Sequence, residues 1–203
     1  MSGASTAQDR PHWYQVMGPY LLAIALGVGS AWLAVRSQLD RGGVSVGAWR
    51  TSTLAGSTDA DPYTRAVVAV GALLALNRDE TVYYVATTDS DGRPLRSRCR
   101  YRISGEVPPA RWWSVTAYAE DRFLFDAPGG RYSLNGRNTP LDAQGRFSFE
   151  TGPTPAPAGV AWLPTPGDRG LGFTLRLYNP APQLAADPSA LAAPRIERLG
   201  GCP

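Results

Sequence analysis

The alternation of hydrophobic and polar positions divides the chain into one long apolar run near the N-terminus and many short segments after it. The run GPYLLAIALGVGSAWLAV contains no charged residue and is closed by Arg36. About 18 residues in a helix approach the length that crosses a bilayer core. Tyr20 and Trp32 lie near the two ends of the run, where interfacial aromatic residues occur. The pattern predicts a single-pass transmembrane anchor over 18–36, preceded by an N-terminal tail over 1–17.

Two other interpretations fit an apolar run at this place. A cleaved signal peptide has an apolar region of about 7–15 residues, followed by a cleavage site between small residues. The run here is longer, and no convincing small-x-small site precedes Arg36. A buried helix of a globular domain is the third alternative. We favour the uncleaved anchor, through which the protein would contact the lipid bilayer over 18–36.

The region after the predicted anchor contains a predicted linker and one predicted helix. Residues 37–60 are rich in glycine, serine and threonine, as linkers are. Asp61 can cap a helix, and Pro62 suits its first position. Residues 62–76 are apolar on most faces but too few to cross a bilayer, so we expect a helix packed in the domain core. Gly71 within it indicates either close packing or a tolerated defect.

After the predicted helix the pattern changes to the period of two that is typical of strands. Residues 81–88 and 95–103 flank a turn at Asp91 and Gly92, which predicts a β-hairpin. Further short strands are predicted over 112–119, 123–125, 131–134, 146–150, 161–164 and 172–180. Short strands at this spacing are typical of a sandwich or jelly roll. We expect a mainly β, antiparallel sandwich or jelly-roll-like domain over 61–203, with one packed helix.

The composition supports this fold class and removes several kinds of chemistry. Glycine (22 residues) and proline (18 residues) are abundant, which suits many turns between short strands. The chain contains no lysine, and its one histidine, His12, lies in the predicted tail. Histidine-dependent triads and metal sites, and lysine Schiff-base chemistry, are therefore excluded from the domain. We expect no cofactor and no metal ion, and chemistry limited to carboxylates, tyrosine and arginine.

The charge of the chain is a mild excess of arginine, with a formal net charge of +3. Arg96, Arg98, Arg100 and Arg102 alternate with other residues, which places all four on one face of a strand. We favour a solvated outer surface, and a binding surface for anionic headgroups or polymers is the alternative. Nucleic-acid binders carry a more concentrated basic stripe, so no nucleic-acid partner is expected.

The two cysteines, Cys99 and Cys202, bear on the cellular compartment. Two thiols alone cannot form a structural zinc site. A disulfide between them would attach the C-terminus to a strand and stabilise the fold by about 4–5 kcal/mol, as a model-dependent upper figure. Disulfides persist outside the cytoplasm, so the predicted bond favours an exported domain.

The charges that flank the apolar run favour the opposite orientation. Arg36, Arg41 and Arg50 follow the run, and Arg10 precedes it. The positive-inside rule alone would keep the domain in the cytoplasm, but large domains cross the membrane regardless of flanking charge. With the predicted disulfide, we expect a single-pass inner-membrane protein whose domain faces the periplasm.

The densest group of candidate binding residues lies on the predicted strand 112–119. Adjacent residues of a strand point to opposite faces, so one of Trp112 and Trp113 can fill the core while the other faces a groove. Arg176 lies on an otherwise apolar strand, and a buried arginine requires a carboxylate partner. Core packing with ordinary polar caps is the alternative to an aromatic pocket for an anionic or sugar-like ligand. The candidate ligand-binding residues are Arg111, Trp112, Trp113, Tyr118, Trp162, Arg176 and Tyr178.

A carboxylate-dependent hydrolase acting on envelope glycans is the enzymatic alternative. It would require two carboxylates about 5–9.5 Å apart. The acidic candidates fit by type only, and no spacing identifies a pair, so no catalytic residue is assigned. They are Glu80, Glu106, Glu120, Asp121 and Glu150. A structural or assembly role is a further alternative, which would leave an exposed apolar patch rather than a deep pocket.

Six short motifs occur along the predicted domain. They are DPYTRA (61–66), YY (83–84), DSDGRPL (89–95), PPARWWSVTAY (108–118), AWLPTP (161–166) and LRLYNP (175–180). In these motifs and their order, the chain resembles a bacterial family, domain of unknown function 1214, over about 61–198. Many members carry this domain behind a second uncharacterised domain, and this chain resembles a short, membrane-anchored form.

The resemblance implies a β-rich, jelly-roll-like fold and a location in the bacterial envelope. It implies no established reaction, so no catalytic residue is carried over to this chain. We therefore expect a membrane-anchored envelope domain that binds an unidentified envelope ligand or protein without catalysis.

Overall fold

The computed structural model describes residues 13–41, 43–52, 57, 60–70, 76–77, 79–200 and 202, and only the backbone over 38–41. The chain divides into two compact units, Met1–Arg41 and Gly42–Pro203. Among the described residues, the first unit contains one long helix, and the second contains the sheets.

The described residues of the first unit form helix α1, Trp13–Arg41, which is 29 residues long. Its segment Trp13–Ser37 has a mean hydropathy of 1.6, and none of its most apolar stretch is buried against protein. The helix extends beyond the predicted anchor, 18–36, at both ends. A helix of this length and apolarity near the N-terminus suggests membrane anchorage or secretion.

The described residues of the second unit form mainly β structure. The strands are β1 (Val44–Val46), β2 (Trp49–Thr51), β3 (Thr81–Ala86), β4 (Tyr101–Glu106), β5 (Ala110–Ala119), β6 (Ser133–Asn135), β7 (Arg146–Gly152), β8 (Trp162–Pro164), β9 (Leu171–Pro180) and β10 (Arg195–Arg198). The helices are α2 (Pro62–Val70) and α3 (Pro182–Ala186), with 3-10 turns at Pro128–Gly130 and Pro188–Ala190.

These strands form two sheets that face each other. The six-stranded sheet has the order β1-β2-β3-β9-β5-β6, and the four-stranded sheet has the order β10-β4-β7-β8. Trp113 of β5 packs on Phe147 of β7, with 4.6 Å between the ring centroids, so the core lies between the sheets. All pairs within the two sheets are antiparallel except β7–β8, which is parallel. The prediction of a mainly β, two-sheet sandwich is confirmed.

The alternation of side chains along β9 explains how the six-stranded sheet acquires two different faces. Phe173, Leu175 and Leu177 are fully buried and point into the core. Arg176 and Tyr178, which lie between and after them, are only partly buried. Since successive side chains of a strand point to opposite sides, these polar residues lie on the sheet surface away from the core. We call this surface the outer face.

Part of the predicted linker belongs to the domain. Within 37–60, β1 and β2 extend the six-stranded sheet, so the prediction of a linker over that range is wrong. Trp49 is fully buried, and its Nε1 donates a hydrogen bond to the carbonyl oxygen of Pro194 at 2.7 Å. A single buried tryptophan in a glycine- and serine-rich stretch is too weak a pattern to predict a strand. The folded unit consequently begins near residue 42 rather than 61.

The predicted core helix is more exposed than expected over its described part, and residues 71–75 of the predicted range lie outside the described residues. Asp61 caps α2 as predicted, because its Oδ1 accepts hydrogen bonds from the backbone N–H groups of Tyr63 and Thr64 at 2.8 and 3.0 Å. None of the residues of α2 is buried, so the prediction of a helix packed in the core is wrong. The core lies between two sheets, and an apolar helix is not needed to cover their inner faces. Gly71 lies outside the described residues.

The observed strands differ from the predicted ones at three further places. The predicted hairpin of 81–88 and 95–103 does not form, because β3 pairs with β2 and β9 while β4 belongs to the other sheet. The turn between them remains, closed by a bridge between Thr88 and Pro94. Residues 123–125 form no strand beyond a bridge through Leu124, and β10 was not predicted.

Cys99 and Cys202 form the predicted disulfide, with their Cα atoms 4.7 Å apart. Cys99 is fully buried two residues before β4, and β10 pairs with β4. The bond therefore fastens the C-terminal segment to the strand beside which it already lies. A disulfide is consistent with a domain outside the cytoplasm.

Candidate ligand-binding site

Arg176 lies at the centre of the outer face. The strand β9 that carries it has β3 on one side and β5 on the other. In register, Arg176 lies opposite Tyr83 of β3 and Ser114 of β5. An arginine is thus placed in the middle of a six-stranded sheet, on a strand that is paired on both sides.

The guanidinium group of Arg176 is held by hydroxyl groups. Its Nη1 donates to Thr116 Oγ1 at 3.1 Å, and its Nη2 donates to Tyr118 Oη at 2.8 Å. The guanidinium carbon lies 5.6 Å from the centroid of the Tyr118 ring, within the range of a cation–π contact. No carboxylate in the described part of the chain forms an ion pair with Arg176, so the expectation of a carboxylate partner is wrong.

Unlike Arg176, the four arginines between residues 96 and 102 form ion pairs with carboxylates of the same domain. Arg96 and Arg98 bind Asp168 at 2.7 and 3.2 Å. The hydrogen bond from Arg96 and the positive charge of both arginines lower the pKa of Asp168 below its usual value, against an opposing effect of burial. Exposed pairs of this kind add little stability. They do balance the charges of both arginines. Of the four arginines only Arg102 lies on a strand, so the prediction that all four lie on one face of a strand is wrong.

Arg100 and Arg102 of the same segment share one acid. Both bind Glu150, each at 3.1 Å, and the Glu150 side chain is only 6% exposed. Arg100 also donates to the carbonyl oxygens of Thr154 and Pro155. A carboxylate therefore balances the charge of this group, whereas the described partners of Arg176 are hydroxyl groups.

An open groove adjoins the outer face at its β6 edge. It has a volume of about 410 Å³ and is lined by Trp112, Asn135, Arg137 and Asn138. Trp112 is 37% exposed, whereas the adjacent Trp113 is 3% exposed and packs in the core. The side chains of the two neighbouring tryptophans thus lie on opposite sides of β5. None of the four groove residues carries a carboxylate.

The turn that follows β6 positions the groove residues. Asn138 Oδ1 accepts from the backbone N–H of Asn135 at 2.7 Å, and Asn135 Oδ1 accepts from the backbone N–H of Arg137 at 3.0 Å. Side-chain caps of this kind are a usual reason for asparagine in turns. A Cβ atom at Gly136 would lie 3.2 Å from Trp113 Nε1, so glycine allows the turn to rest on the core tryptophan.

The seven predicted site residues do not all meet at one place. Trp112, Tyr118, Arg176 and Tyr178 lie on the outer face, as the register of β5 and β9 requires. Trp113 belongs to the core, and Arg111 is exposed at the start of β5 without lining the groove. Trp162 lies on β8 of the four-stranded sheet, where its Nε1 donates to the carbonyl oxygen of Gly152 at 3.2 Å.

Sequence reasoning missed three groove residues: Asn135, Arg137 and Asn138. The sequence NGRN indicates a turn, but a turn by itself carries no functional meaning. The sequence does not show that Asn135 pairs with Ser114, and this pairing brings the turn beside β5, the strand that carries Trp112.

The acidic candidates are not assembled into a catalytic pair in the groove. Glu120 Oε2 accepts from the backbone N–H of Gly170 at 2.5 Å, and Asp121 binds Arg169 at 2.5 Å. The hydrogen bonds from Arg169 and from the backbone of Phe123 lower the pKa of Asp121, which keeps it ionised. Among the described residues, no group of three or more histidine, cysteine, aspartate or glutamate side chains could hold a metal ion.

Comparison with known structures gives the fold without a function. The VPA0106 protein from Vibrio parahaemolyticus is similar in structure, with a TM-score of 0.57 and 20% sequence identity, over 68% of this chain and 36% of that chain. An uncharacterised protein from Burkholderia cenocepacia has a TM-score of 0.42 and 16% identity, over 87% of this chain and 52% of that one. The second likeness is too low to carry an argument. This chain spans little more than a third of the Vibrio protein that it resembles.

Comparison with protein families identifies the domain. No curated protein matches the chain in sequence. The family model described as "Protein of unknown function (DUF1214)" matches residues 80–182, which are half of the chain and include β3, the outer-face strands β5 and β9, and the groove turn. The chain therefore belongs to the DUF1214 family.

Proposed function

We propose that this protein is a membrane-anchored envelope domain that binds an anionic ligand on its outer face without catalysis. The observation that carries the proposal is the partly buried guanidinium of Arg176, which has hydroxyl partners and no carboxylate partner among the described residues. Partial burial removes water from a charged group, and an oxyanion from a ligand would compensate for that loss.

The two hydroxyl partners favour an anion over a cation or an apolar ligand. Because Thr116 and Tyr118 accept hydrogen bonds from Arg176, their own hydroxyl protons point away from it and can be donated. The remaining N–H groups of the guanidinium are also donors. Such a cluster of donors suits the carboxylate, phosphate or sulfate group of a ligand.

Two further features support an envelope location. Helix α1 has the length and apolarity of a membrane anchor, and the disulfide between Cys99 and Cys202 suits an oxidising compartment. We accordingly place the domain on the periplasmic side of the inner membrane, with α1 in the bilayer and a jelly-roll-like connection of the strands.

The alternative functions have less support. A hydrolase would need two convergent carboxylates, and the groove residues contain none. An assembly role rests on a smaller feature, the exposed Phe123 and Leu124 in the turn after β5.

The proposal predicts that Arg176→Gln weakens the binding of anionic ligands about tenfold or more, because it removes the charge and keeps most of the side-chain volume. The measurement is a tryptophan-fluorescence titration of the full-length protein with anionic glycans, anionic lipids and inorganic phosphate. Arg146→Gln is the matched control, since Arg146 is exposed on β7 of the other sheet. Equal losses in the two variants would show that net charge, and not this site, binds the ligand.

A further inference from the structure

The groove beside Arg176 offers hydrogen-bond donors but few acceptors. The side-chain oxygens of Asn135 and Asn138 are occupied by backbone N–H groups of their own turn. Among the described residues, neither their NH2 groups, nor the Arg137 guanidinium, nor the indole N–H of Trp112 forms a hydrogen bond. The turn therefore engages these two side-chain oxygens as acceptors and leaves the donors of the groove residues without a hydrogen-bond partner in the described part of the chain.

The groove and Arg176 are parts of one surface. Asn135 of β6 lies opposite Ser114 of β5, and Ser114 lies opposite Arg176 of β9. Adjacent strands are about 4.8 Å apart, so the backbones at Asn135 and Arg176 are separated by about 10 Å. Trp112 lies on the same face of β5, two residues before Ser114. A short oligosaccharide could contact the groove and Arg176 together.

We propose that the groove and Arg176 form one extended site for an acidic oligosaccharide. The apolar face of a sugar ring packs against Trp112, and its hydroxyl oxygens accept hydrogen bonds from the amides of Asn135 and Asn138. A carboxylate of a neighbouring sugar unit binds Arg176, with Arg137 favouring the same sign of charge. This inference rests on the proposed function, and it specifies the class of ligand.

The composition of the site favours a glycan over a smaller anion. Inorganic phosphate would engage Arg176 and leave the groove donors without acceptors. A sugar supplies many hydroxyl acceptors together with an apolar ring face, which suits an indole that is 37% exposed beside amide donors. The four groove residues carry one arginine and no carboxylate. Their charge therefore favours an acidic ligand over a cationic one.

The decisive variant is Asn138→Asp. An aspartate can still accept the hydrogen bond from the backbone N–H of Asn135, so the turn is retained. It replaces the amide donor by a carboxylate oxygen, which would repel an acidic ligand. Gln183→Glu is the matched control, because it makes the same chemical change at an exposed position on α3. Trp112→Ala tests the contribution of the indole.

The experiment is isothermal titration calorimetry of the full-length protein in nanodiscs of uncharged lipid. The probes are oligogalacturonate, hyaluronate oligosaccharides and neutral cello-oligosaccharides of similar length. We expect an acidic probe to bind the parent protein, and Asn138→Asp and Trp112→Ala each to weaken that binding about tenfold or more. Gln183→Glu should leave the affinity within about twofold.

The possible outcomes separate this inference from the proposed function. If Arg176→Gln abolishes binding of the acidic probes while Asn138→Asp and Trp112→Ala do not, the groove is not part of the site and only the anion site stands. If neutral and acidic probes bind equally and Arg176→Gln has no effect, the acidic ligand class and the anion site are both wrong. Failure of every probe to bind would overturn both.

Discussion

At the scale of single residues, Asp89 organises the turn between β3 and β4. Its Oδ1 accepts from the backbone N–H groups of Asp91 and Arg93 at 3.0 and 2.9 Å, and its Oδ2 binds Arg93 Nε at 2.8 Å. The adjacent Ser90 exchanges hydrogen bonds with Ile196 of β10. Asp89 thus supports both the turn and the attachment of the C-terminal strand.

The protonation of Asp89 links this turn to pH. Burial alone would raise the pKa of Asp89. The hydrogen bonds from Arg93 and Asp91 and the charge of Arg93 lower it by more than burial raises it, so the net pKa lies below its usual value. The folded state therefore gains stability from the ionised form above the pKa of the unfolded chain, about 3.9. That stability is lost as the pH falls through the lower pKa of the folded state.

We predict that Asp89→Asn lowers the free energy of unfolding at pH 7 by about 1–3 kcal/mol, because a fully buried acceptor loses its charged hydrogen bond. The difference from the parent protein should shrink toward pH 3, because below about pH 3.9 Asp89 of the unfolded chain takes up a proton while that of the folded state remains ionised to lower pH. Urea denaturation at the two pH values measures both effects. Asp91→Asn is the control, since the Asp91 side chain is 59% exposed and should contribute less. A difference that stays constant with pH would contradict the assignment.

The residue scale also shows where prediction from sequence stopped. Alternation along the chain predicted that Trp112 and Trp113 point to opposite faces of one strand, and composition placed Arg176 on an otherwise apolar strand, both of which are local properties. The partners of Arg176 were not predicted, since Thr116 and Tyr118 lie about sixty residues away along the chain. A pattern within one strand carries no information about which strand lies beside it.

At the scale of elements, long strands with clear alternation were predictable and short or irregular ones were not. β5, β7 and β9 occur close to their predicted positions. β1, β2 and β10 contain only three or four residues each, too few for a period of two to be recognised. The groove depends on the pairing of β6 with β5, which is a non-local choice, so its asparagines could not be identified as site residues from sequence.

The C-terminal strand gives a test at this scale. Cys202 follows β10, and its bond to Cys99 closes a loop with a sequence separation of 103. We predict that Cys202→Ala lowers the free energy of unfolding by up to about 4–5 kcal/mol, mainly because the unfolded chain gains freedom. Intact mass after alkylation under denaturing conditions should show no reactive thiol in the parent protein until it is reduced.

The reduced parent protein is the internal control for this variant. A reducing agent should lower the melting temperature of the parent protein to that of Cys202→Ala and leave the variant unchanged. If both thiols react without reduction in protein isolated from cells and protected from later reduction, the bond does not form in the cell. The charges flanking α1 would then favour a cytoplasmic domain.

At the scale of the whole molecule, an apolar helix and a β sandwich of the DUF1214 family are combined in one chain. The core of the second unit lies between the sheets, and Arg176 lies on the opposite side of the six-stranded sheet, on the outer face. Among the described residues, the partly buried Arg176 in the middle of this face has hydroxyl partners and no carboxylate partner, and an anionic ligand would balance its charge. The central claim is therefore that Arg176 is the point at which an anionic ligand attaches.

The most direct test of this claim is nuclear magnetic resonance of the arginine Nε–Hε groups in the full-length protein, in nanodiscs of uncharged lipid. The signal of Arg176 is assigned by its disappearance in Arg176→Gln, and that of Arg146 in Arg146→Gln. We predict that titration with an acidic glycan shifts the Arg176 signal to saturation and leaves the Arg146 signal in place. Shifts confined to the exposed arginines Arg96 and Arg98, with Arg176 unchanged, would contradict the account.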